Sequence, residues 1–500
     1  MASITPLPPS HWQLANLPPE ILVRVASFLT TPELGALRRS CKEIEMKLFV
    51  DFAREFFTKR QFLIEHESLE ALVGISRHPG LASRLREVLI DSSHFSLTPE
   101  IRCSRTKNGY VNRDVLLQTG LARDMLAEVF SNLPNLKTVG LRDYDGYGRI
   151  RDGPYAKWRS WGWSLFSENY VVDRRPHALL FPMLLSALTQ ANARPSNIEV
   201  FTKKSSKLQP ESFLLPRNTS ISAVLADLKT LMLDIPTDEI SDTDDNPSFA
   251  CVDVEDTPLR LFLHRTTQLQ SLRLNFLPYI NHADHPRRPR TRHQRGWRIV
   301  DWLGRPISVA AKSAPLTDSP TPPVHLPFLT SLELGKTMVT TADLVRTLAK
   351  FDLQSFSLHR ICLDNPRPDS IAQDCWAQFL SQLSTSLSPS CRIRKIMIRQ
   401  PSQGPYRWRV RGIHNGTSVV RFVPEGTNAA NKAKAEKLCE IAFDSLYTGR
   451  TIHEWLRDMS GLTYIQWPLG HPVRVRLGLD MTTPEDAEED EDGGGNDSDA

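Results

Sequence analysis

The side chains of this 500-residue chain that could carry chemistry do not stand at the spacings that known catalytic motifs require. Gly146, Gly148 and Gly153 fit neither G-x-x-x-x-G-K-[ST] nor G-x-G-x-x-G, the loops that hold phosphate through backbone N–H groups. His66-Glu67 lacks the second histidine of H-E-x-x-H, and no G-x-S-x-G elbow occurs. We therefore expect no metal, no cofactor and no catalytic residue. A scattered Cys/His pair stays open, because such pairs form in space and leave no sequence signature.

The cysteines also give no sign of a metal site or of a set of disulfides. Seven is an odd number, they are widely scattered, and no C-x-x-C pair occurs, which argues against a disulfide framework or a zinc module. We interpret them as buried thiols. They are Cys41, Cys103, Cys251, Cys362, Cys375, Cys391 and Cys439.

Composition places the chain among globular proteins. Hydrophobic residues make up 40% and charged residues 24%, while 36 prolines predict many loops and broken elements. No apolar run reaches the roughly 18 to 20 residues of a membrane span, and residues 1–10 lack the features of a secretion signal. We expect a cytoplasmic and/or nuclear protein that does not enter the membrane.

The elements that must position any site begin with three short helices between residues 14 and 57. Leu17-Pro18-Pro19-Glu20 is typical of a helix start, because proline is tolerated in the first turn and the acid complements the helix dipole. Thr31-Pro32-Glu33 repeats this pattern for a second helix, and a third apolar stripe runs from Ile44 to Phe56. The first stripe is Ile21, Leu22, Val25, Phe28 and Leu29. So much apolar surface predicts packing against another domain or another protein.

These residues resemble an F-box. The resemblance covers about 45 residues, from Leu17-Pro18-Pro19-Glu20-Ile21-Leu22 through Val25, Phe28 and Leu29 to Leu34, Leu37, Arg38, Arg39 and Cys41-Lys42. It implies that the helices dock a Skp-type adaptor, which links the chain to a cullin-based ubiquitin ligase, and it supplies no catalytic residue. The residues that match the adaptor-facing or box-core pattern are Leu17, Pro18, Ile21, Leu22, Val25, Leu34, Leu37 and Cys41. The alternative is that the helices only cap the rest of the chain.

From residue 80 onward a short pattern recurs, Leu-x-x-φ-x-φ with φ apolar, whose final alternation predicts a short strand after each amphipathic helix. The middle φ residues are Val88, Val139, Ile198, Leu231, Leu272, Leu332, Phe356 and Ile396. Their spacing is irregular, so the pattern resembles a degenerate leucine-rich repeat with long insertions, similar to the bodies of fungal F-box proteins; an ordinary α/β domain stays open. In a solenoid the residue after each middle φ faces outward. Arg273 and Glu333 at such positions, and His359 just beyond a predicted strand, are candidate target contacts.

Four further segments stand apart. Tyr144–Asp173 carries Trp161 among arginines, which predicts either a recognition loop or, as we favour, a loop pinned to the core. The stretch 281–325 is rich in Arg, Pro and Ser and is predicted to be a disordered insertion; its arginines suit a solvated loop, a nuclear address or a nucleic-acid contact, and we expect no nucleic acid. Residues 404–424 predict a β-hairpin, and 484–500 an acidic disordered tail.

The sequence thus predicts an α/β chain with a flexible start (1–13), a small all-α F-box module (14–57) and an irregular leucine-rich-repeat-like solenoid (58–475). The function that this implies is a non-catalytic substrate adaptor of an SCF-type ubiquitin ligase. Its partners would be the Skp-type adaptor, a cullin through it, and an unknown target protein. The alternative is a protein-interaction scaffold without a ligase role.

Overall fold

The computed structural model describes residues 14–92, 104–144, 146–158, 179–202, 208, 210–214, 219–236, 256–277, 294–307, 321–364, 374–404, 418–424 and 436–466. Residues 1–13, Trp161 and the tail 484–500 lie outside these ranges, so what was predicted for them stays a prediction. The chain divides into two compact units, Met1–Leu233 and Asp234–Ala500, called unit 1 and unit 2 below. In the described ranges no helix combines the length and the apolar character that a membrane crossing demands.

The fold is mixed α/β, as predicted, with helices that alternate with short strands. The helices of the described residues are α1 (Pro19–Ala26), α2 (Thr31–Ser40), α3 (Lys42–Phe57), α4 (His66–Arg77), α5 (Pro79–Ala82), α6 (Ser104–Gln118), α7 (Leu121–Asn132), α8 (Leu180–Gln190), α9 (Thr219–Ala226), α10 (Thr257–His264), α11 (Gln294–Gly304), α12 (Thr341–Lys350), α13 (Cys375–Ser386), α14 (Ser445–Thr448) and α15 (Ile452–Gly461).

The strands are equally short. They are β1 (Lys59–Leu63), β2 (Glu87–Asp91), β3 (Thr138–Arg142), β4 (Gly146–Tyr147), β5 (Lys157–Trp158), β6 (Asn197–Phe201), β7 (Thr230–Pro236), β8 (Ser271–Leu277), β9 (Ser331–Gly335), β10 (Met338–Val339), β11 (Ser355–His359), β12 (Cys362–Asp364), β13 (Lys395–Arg399), β14 (Ser402–Gly404), β15 (Ser418–Phe422), β16 (Glu440–Asp444) and β17 (Thr463–Gln466).

Helices α1 to α3 form the predicted helical module, which lies within unit 1. Pro19 starts α1, and a reciprocal capping box between Thr30 and Glu33 starts α2, so two backbone donors at that helix end are satisfied. The apolar stripes meet in one small core. Its members are Leu22, Ala26, Leu34, Ile44, Leu48 and Phe56, each at most 6% exposed.

Unit 1 continues as a parallel sheet in the order β1, β2, β3, β6, β7. The predicted middle φ residues are register partners: Val88 pairs with Val139, Val139 with Ile198, and Ile198 with Leu231. Each of these four side chains is fully buried, because the strands turn the same side towards the helices. The Leu-x-x-φ-x-φ pattern therefore marks a true structural repeat.

Unit 2 repeats this arrangement in a parallel run of β8, β9, β11 and β13, which antiparallel β16 extends. A second sheet follows, in the order β10, β12, β14, β15, β17. Three times, a two-residue corner connects a strand of the first sheet to a strand of the second, and its first residue is in the left-handed conformation. These residues are Lys336, Arg360 and Gln400, with φ of 56°, 53° and 50°. A left-handed conformation in a residue other than glycine costs about 1 kcal/mol, so the rest of the repeat must stabilise each corner.

The prediction of disorder for 281–325 is wrong for residues 294–304, which form α11. Four buried side chains anchor this helix: Ile299, Val300, Trp302 and Leu303. The arginines dominated the composition of the stretch and obscured this apolar stripe. Strand β14, just before the predicted hairpin, pairs antiparallel with β15; residues 405–417 lie outside the described ranges, so the hairpin at 404–424 stays a prediction.

Candidate functional site

The strongest candidate surface is an apolar stripe on α1 that the core of the helical module leaves exposed. Ile21 is 50% exposed, Val25 39%, and Phe28, just after the helix, 76%. Their spacing of i, i+4 and i+7 puts them on one side of the helix. Leu22, one position from Ile21, is fully buried in the core of the module. The helix therefore has two apolar sides, and within the described residues only one of them is buried.

Four of the eight residues predicted to face the adaptor or the module core separate clearly into these two roles. Leu22 and Leu34 belong to the core, whereas Ile21 and Val25 lie on the exposed stripe. Of the other four, Leu17 and Leu37 are half-buried, Leu37 against the core, and Pro18 and Cys41 are exposed.

Sequence reasoning missed three exposed apolar residues of the module. Phe28 was in the predicted stripe but not among the predicted contacts. Met46 (70% exposed) and Val50 (47% exposed) stand one helical turn apart on α3, on the side away from Ile44 and Leu48. The i, i+4 spacing of Met46 and Val50 was the available signal, and the stronger core stripe of the same helix concealed it.

A hairpin from the body of unit 1 holds the helical module in place. Strands β4 and β5 pair antiparallel, and the loop 148–156 between them, which includes a 3-10 turn at Ile150–Asp152, presents Arg151 to the module. The Arg151 guanidinium donates to both carboxylate oxygens of Glu55, at 2.6 and 2.5 Å, and to the carbonyls of Ala26 (3.0 Å) and Leu29 (2.8 Å). It thus ties the end of α1 to α3.

Asp152 fastens the next helix of the module. Its carboxylate accepts the backbone N–H of Thr31 at 2.7 Å and the Thr31 hydroxyl at 2.6 Å, at the start of α2. Burial raises the pKa of Asp152, but the two bonds from Thr31 and the nearby guanidinium groups of Arg149 and Arg151 together hold that pKa below its ordinary value. Arg149 also lies 4.0 Å above the ring of Phe56. We call residues 149–152 the clamp.

The clamp bonds the Tyr144–Asp173 insertion to the helical module; that its tryptophans pin it to the core stays a prediction, because the structure describes the insertion only as far as residue 158. The side chains beyond it, including Trp161, lie outside the described ranges. The clamp also settles one feature of the module: within the described residues, α1, α2 and α3 are each bonded to the same hairpin turn.

The three remaining candidate residues lie together on the strand face of unit 2. Arg273 and Glu333 are register partners on β8 and β9, with Nε and Oε2 3.7 Å apart and side chains 39% and 41% exposed. His359 lies two residues further along on β11, beside Gly335. Burial, followed by the cations of Arg360, Lys336, Arg399 and Arg273, lowers the pKa of His359. The structure therefore brings the three candidates onto one open surface.

The described residues contain no group of three or more His, Cys, Asp or Glu side chains able to hold a metal. Burial raises the pKa of the Cys362 thiol to about 12 and that of Cys375 to about 11, which disfavours the reactive thiolate. These two cysteines match the predicted buried thiols in that respect, whereas Cys41 and Cys439 are exposed.

Comparisons with known proteins do not assign the chain to a family. No family model matches the chain, and no curated protein matches it. Among solved structures, it is similar to a chain of the crystal structure of the Rad7 and Elc1 complex in yeast, at 13% identity and a TM-score of 0.25, over 78% of this chain and 71% of that chain. A likeness of this size decides nothing about partners.

Proposed function

We propose that the chain is a non-catalytic substrate-recognition subunit of an SCF-type ubiquitin ligase, in which the helical module docks a Skp-type adaptor. The observation that carries the proposal is the exposed stripe of Ile21, Val25 and Phe28 on a module that buries the other apolar side of the same helix in its own core. An amphipathic helix that docks in a partner's groove presents its anchors at this spacing.

The two strand-bearing units suit the second half of such a role. A protein that links an adaptor to a target raises the effective concentration of the target near the transferring enzyme. A fixed module serves this purpose better than a loose one, because geometry decides whether both partners are engaged at once. The clamp supplies that fixation within unit 1, and the open strand face of unit 2 offers room for the target. We place this activity in the cytoplasm and/or the nucleus.

The test is direct binding between the purified full-length chain and a purified Skp-type adaptor by calorimetry. An Ile21→Ser, Val25→Ser double variant should bind at least 30-fold more weakly, since central interface anchors contribute about 2 to 4 kcal/mol. Both side chains are exposed, so the thermal unfolding midpoint should barely change. Leu446→Ser is the matched control, because Leu446 is 78% exposed and belongs to unit 2.

The outcomes separate ligase adaptor from scaffold. Loss of binding in the double variant, with wild-type affinity for Leu446→Ser, supports adaptor docking. A folded wild-type chain with no affinity for the adaptor would overturn the proposal and leave the scaffold function. Leu22→Ala serves as the opposite case: it should lower stability by about 2 to 4 kcal/mol, since Leu22 fills the module core.

A further inference from the structure

The ends of three neighbouring strands in unit 2 carry polar side chains on aligned left-handed corners. Lys336, Arg360 and Gln400 follow β9, β11 and β13, which are in register. The backbone N–H of each corner donates to a carbonyl of the neighbouring strand at 2.8 Å: Lys336 to His359, Arg360 to Arg399, and Gln400 to Cys439. The corners therefore repeat at the strand spacing and present their side chains in one row.

This row adds two cations to those on the strands beside it. Arg273 and Arg399 lie on β8 and β13, and His359 lies on β11 between them. We call Arg273, Lys336, His359, Arg360 and Arg399 the cationic cluster. After burial, the charges that depress the pKa of His359 are the four cations of the cluster, so the field at this imidazole is positive. Burial and the cations of Arg360 and Arg273 likewise lower the pKa of Lys336.

Among the residues that the structure describes, three carboxylates oppose the cluster. Glu333 lies 3.7 Å from Arg273, Glu440 lies 2.9 Å from Arg399, and Asp234, which accepts a bond from Asn275 at 3.0 Å, counteracts the lowered pKa of Lys336. With Lys336 protonated, the lysine and the three arginines of the cluster exceed these three carboxylates by one charge, before any proton on His359.

The positive excess is concentrated at an exposed position. Arg360 is exposed, and its Nε donates at 2.6 Å to the neutral side-chain amide of Gln400. A guanidinium that a neutral amide holds in place keeps its full charge and most of its donors, and guanidinium groups bind phosphate and carboxylate through paired hydrogen bonds.

We propose that the cationic cluster binds an anionic peptide segment of the target, through phosphate or carboxylate groups of that segment. This inference rests on the proposed function, since it specifies what the strand face of unit 2 recognises. Complementary charge at this face also steers encounter with such a segment and rejects cationic ones.

The experiment uses the full-length chain and three fluorescein-labelled hexapeptides in an anisotropy titration at low and moderate salt. The probes are hexaglutamate, (Gly-Ser)3 with all three serines phosphorylated, and unmodified (Gly-Ser)3. At least one anionic probe should bind, more weakly as salt rises, and the neutral probe should not. Tighter binding of the phosphorylated probe would identify phosphate as the preferred group, and tighter binding of hexaglutamate would identify carboxylates.

The variant that tests the site is Lys336→Gln with Arg360→Gln. Glutamine suits both corners, because Gln400 adopts the same conformation. Affinity for the anionic probe should fall at least 10-fold. Lys395→Gln is the control: Lys395 is 66% exposed at the opposite end of β13 from Arg399, and its replacement should change affinity less than 2-fold.

Two results would overturn the inference. One is that neither anionic probe binds. The other is that the double variant binds as well as the wild type, which would assign binding to other cations of the chain, such as those of 287–298. Neither result depends on the Skp-type adaptor, so this inference and the proposed function fail separately.

Discussion

The strand face of unit 1 and the strand face of unit 2 derive from the same repeat but differ in what they expose. In unit 1 the outward positions of the first three strands, Gln61, Leu89 and Gly140, are buried. The Gln61 amide donates to Asp91 at 3.0 Å and to the carbonyl of Tyr144, where the chain leads into the clamp hairpin. The strand face of these three strands therefore contributes to the internal packing of unit 1.

In unit 2 the corresponding positions remain open. Arg273 and Glu333 are about 40% exposed, and Ser357 and Met397 in the next two strands are half-buried. The two units show that the strand face of such a repeat does not always serve as a binding surface. Where an insertion contacts the face, the face becomes part of the internal structure. Unit 1 uses its insertion to fix the helical module, and unit 2 keeps its face available for a partner.

The largest expected effect is steric and comes from a pair of glycines, one on each face. A Cβ at Gly140 would lie 2.4 Å from the backbone carbonyl oxygen of Glu199, which cannot move without disturbing β6. Gly140→Ala should therefore lower the free energy of unfolding by about 3 kcal/mol.

Gly335→Ala is the matched substitution on the face of unit 2. A Cβ at Gly335 would meet the Asn275 side-chain oxygen at 2.5 Å, and a side chain can rotate. Gly335→Ala should cost about 1 kcal/mol. Urea unfolding measures both, and equal costs would contradict the contrast between a packed face and an open one.

The clamp gives the next effect. Arg151→Met keeps the aliphatic stem but removes the bonds to Glu55 and to the carbonyls of Ala26 and Leu29, at a side chain that is 11% exposed. We expect the substitution to lower the free energy of unfolding of the helical module by about 2 kcal/mol. The measurement is amide hydrogen exchange, which should become faster in residues 14–57.

Arg123→Met is the control for the clamp. Arg123 and Asp124 form a pair with side chains 43% and 49% exposed, and such pairs contribute about 0 to 1 kcal/mol. If exchange in 14–57 stayed at the wild-type rate in Arg151→Met, the clamp would not hold the module.

A smaller expected effect is a dependence of the free energy of unfolding on pH. Burial, and after it repulsion from Glu67, raises the pKa of Glu65 to about 7, against an attraction from Arg113. The folded state therefore binds a proton that the unfolded state releases near pH 4.5, and the stability this proton contributes is lost as pH rises towards 7 and above. Glu65→Gln should remove this loss and gain about 1 kcal/mol at pH 8 over the wild type, with little difference at pH 4.5. Unfolding curves across that range test it, and a constant difference would contradict it.

The smallest expected effect on stability concerns the open strand face of unit 2. Glu440 and Arg399 form a pair with side chains 54% and 50% exposed, so Glu440→Gln should change stability by less than about 0.5 kcal/mol. It should nevertheless raise the affinity of an anionic peptide about 2- to 3-fold, because it removes one opposing charge from the cationic cluster. An unchanged or lower affinity in the anisotropy titration would contradict this.

The sequence predicted the repeated strands because their signal is local. All eight predicted middle φ residues fall in strands and are at most 2% exposed. Strand β1 was missed because Arg60 and Gln61 interrupt its apolar pattern, and Gln61 is buried through a partner, Asp91, 30 residues away. Helices α6 and α7 are separate because Gly120 between them has φ of 76°.

The candidate site was predicted in outline and not in detail. The spacing of the apolar residues on α1 indicated two uses for the helix, but only the packing of α2 and α3 shows that Leu22 is core and that Ile21 is surface. The clamp had no sequence signal, because Arg151 meets Glu55 across 96 residues. The corners at Lys336 and Arg360 were equally hidden, since left-handed backbone in a long cationic residue is set by neighbouring strands and not by its own preference.

The length of chain between the clamp and the helices that it holds has a consequence for synthesis. Arg151 and Asp152 follow their partners Glu55 and Thr31 by 96 and 121 residues. At about 5 to 20 residues per second on the ribosome, the helical module emerges roughly 5 to 25 seconds before the hairpin that secures it. During that interval its apolar stripe is presented on a nascent chain, and an adaptor that is already present in the cell would meet the module before the rest of the protein exists.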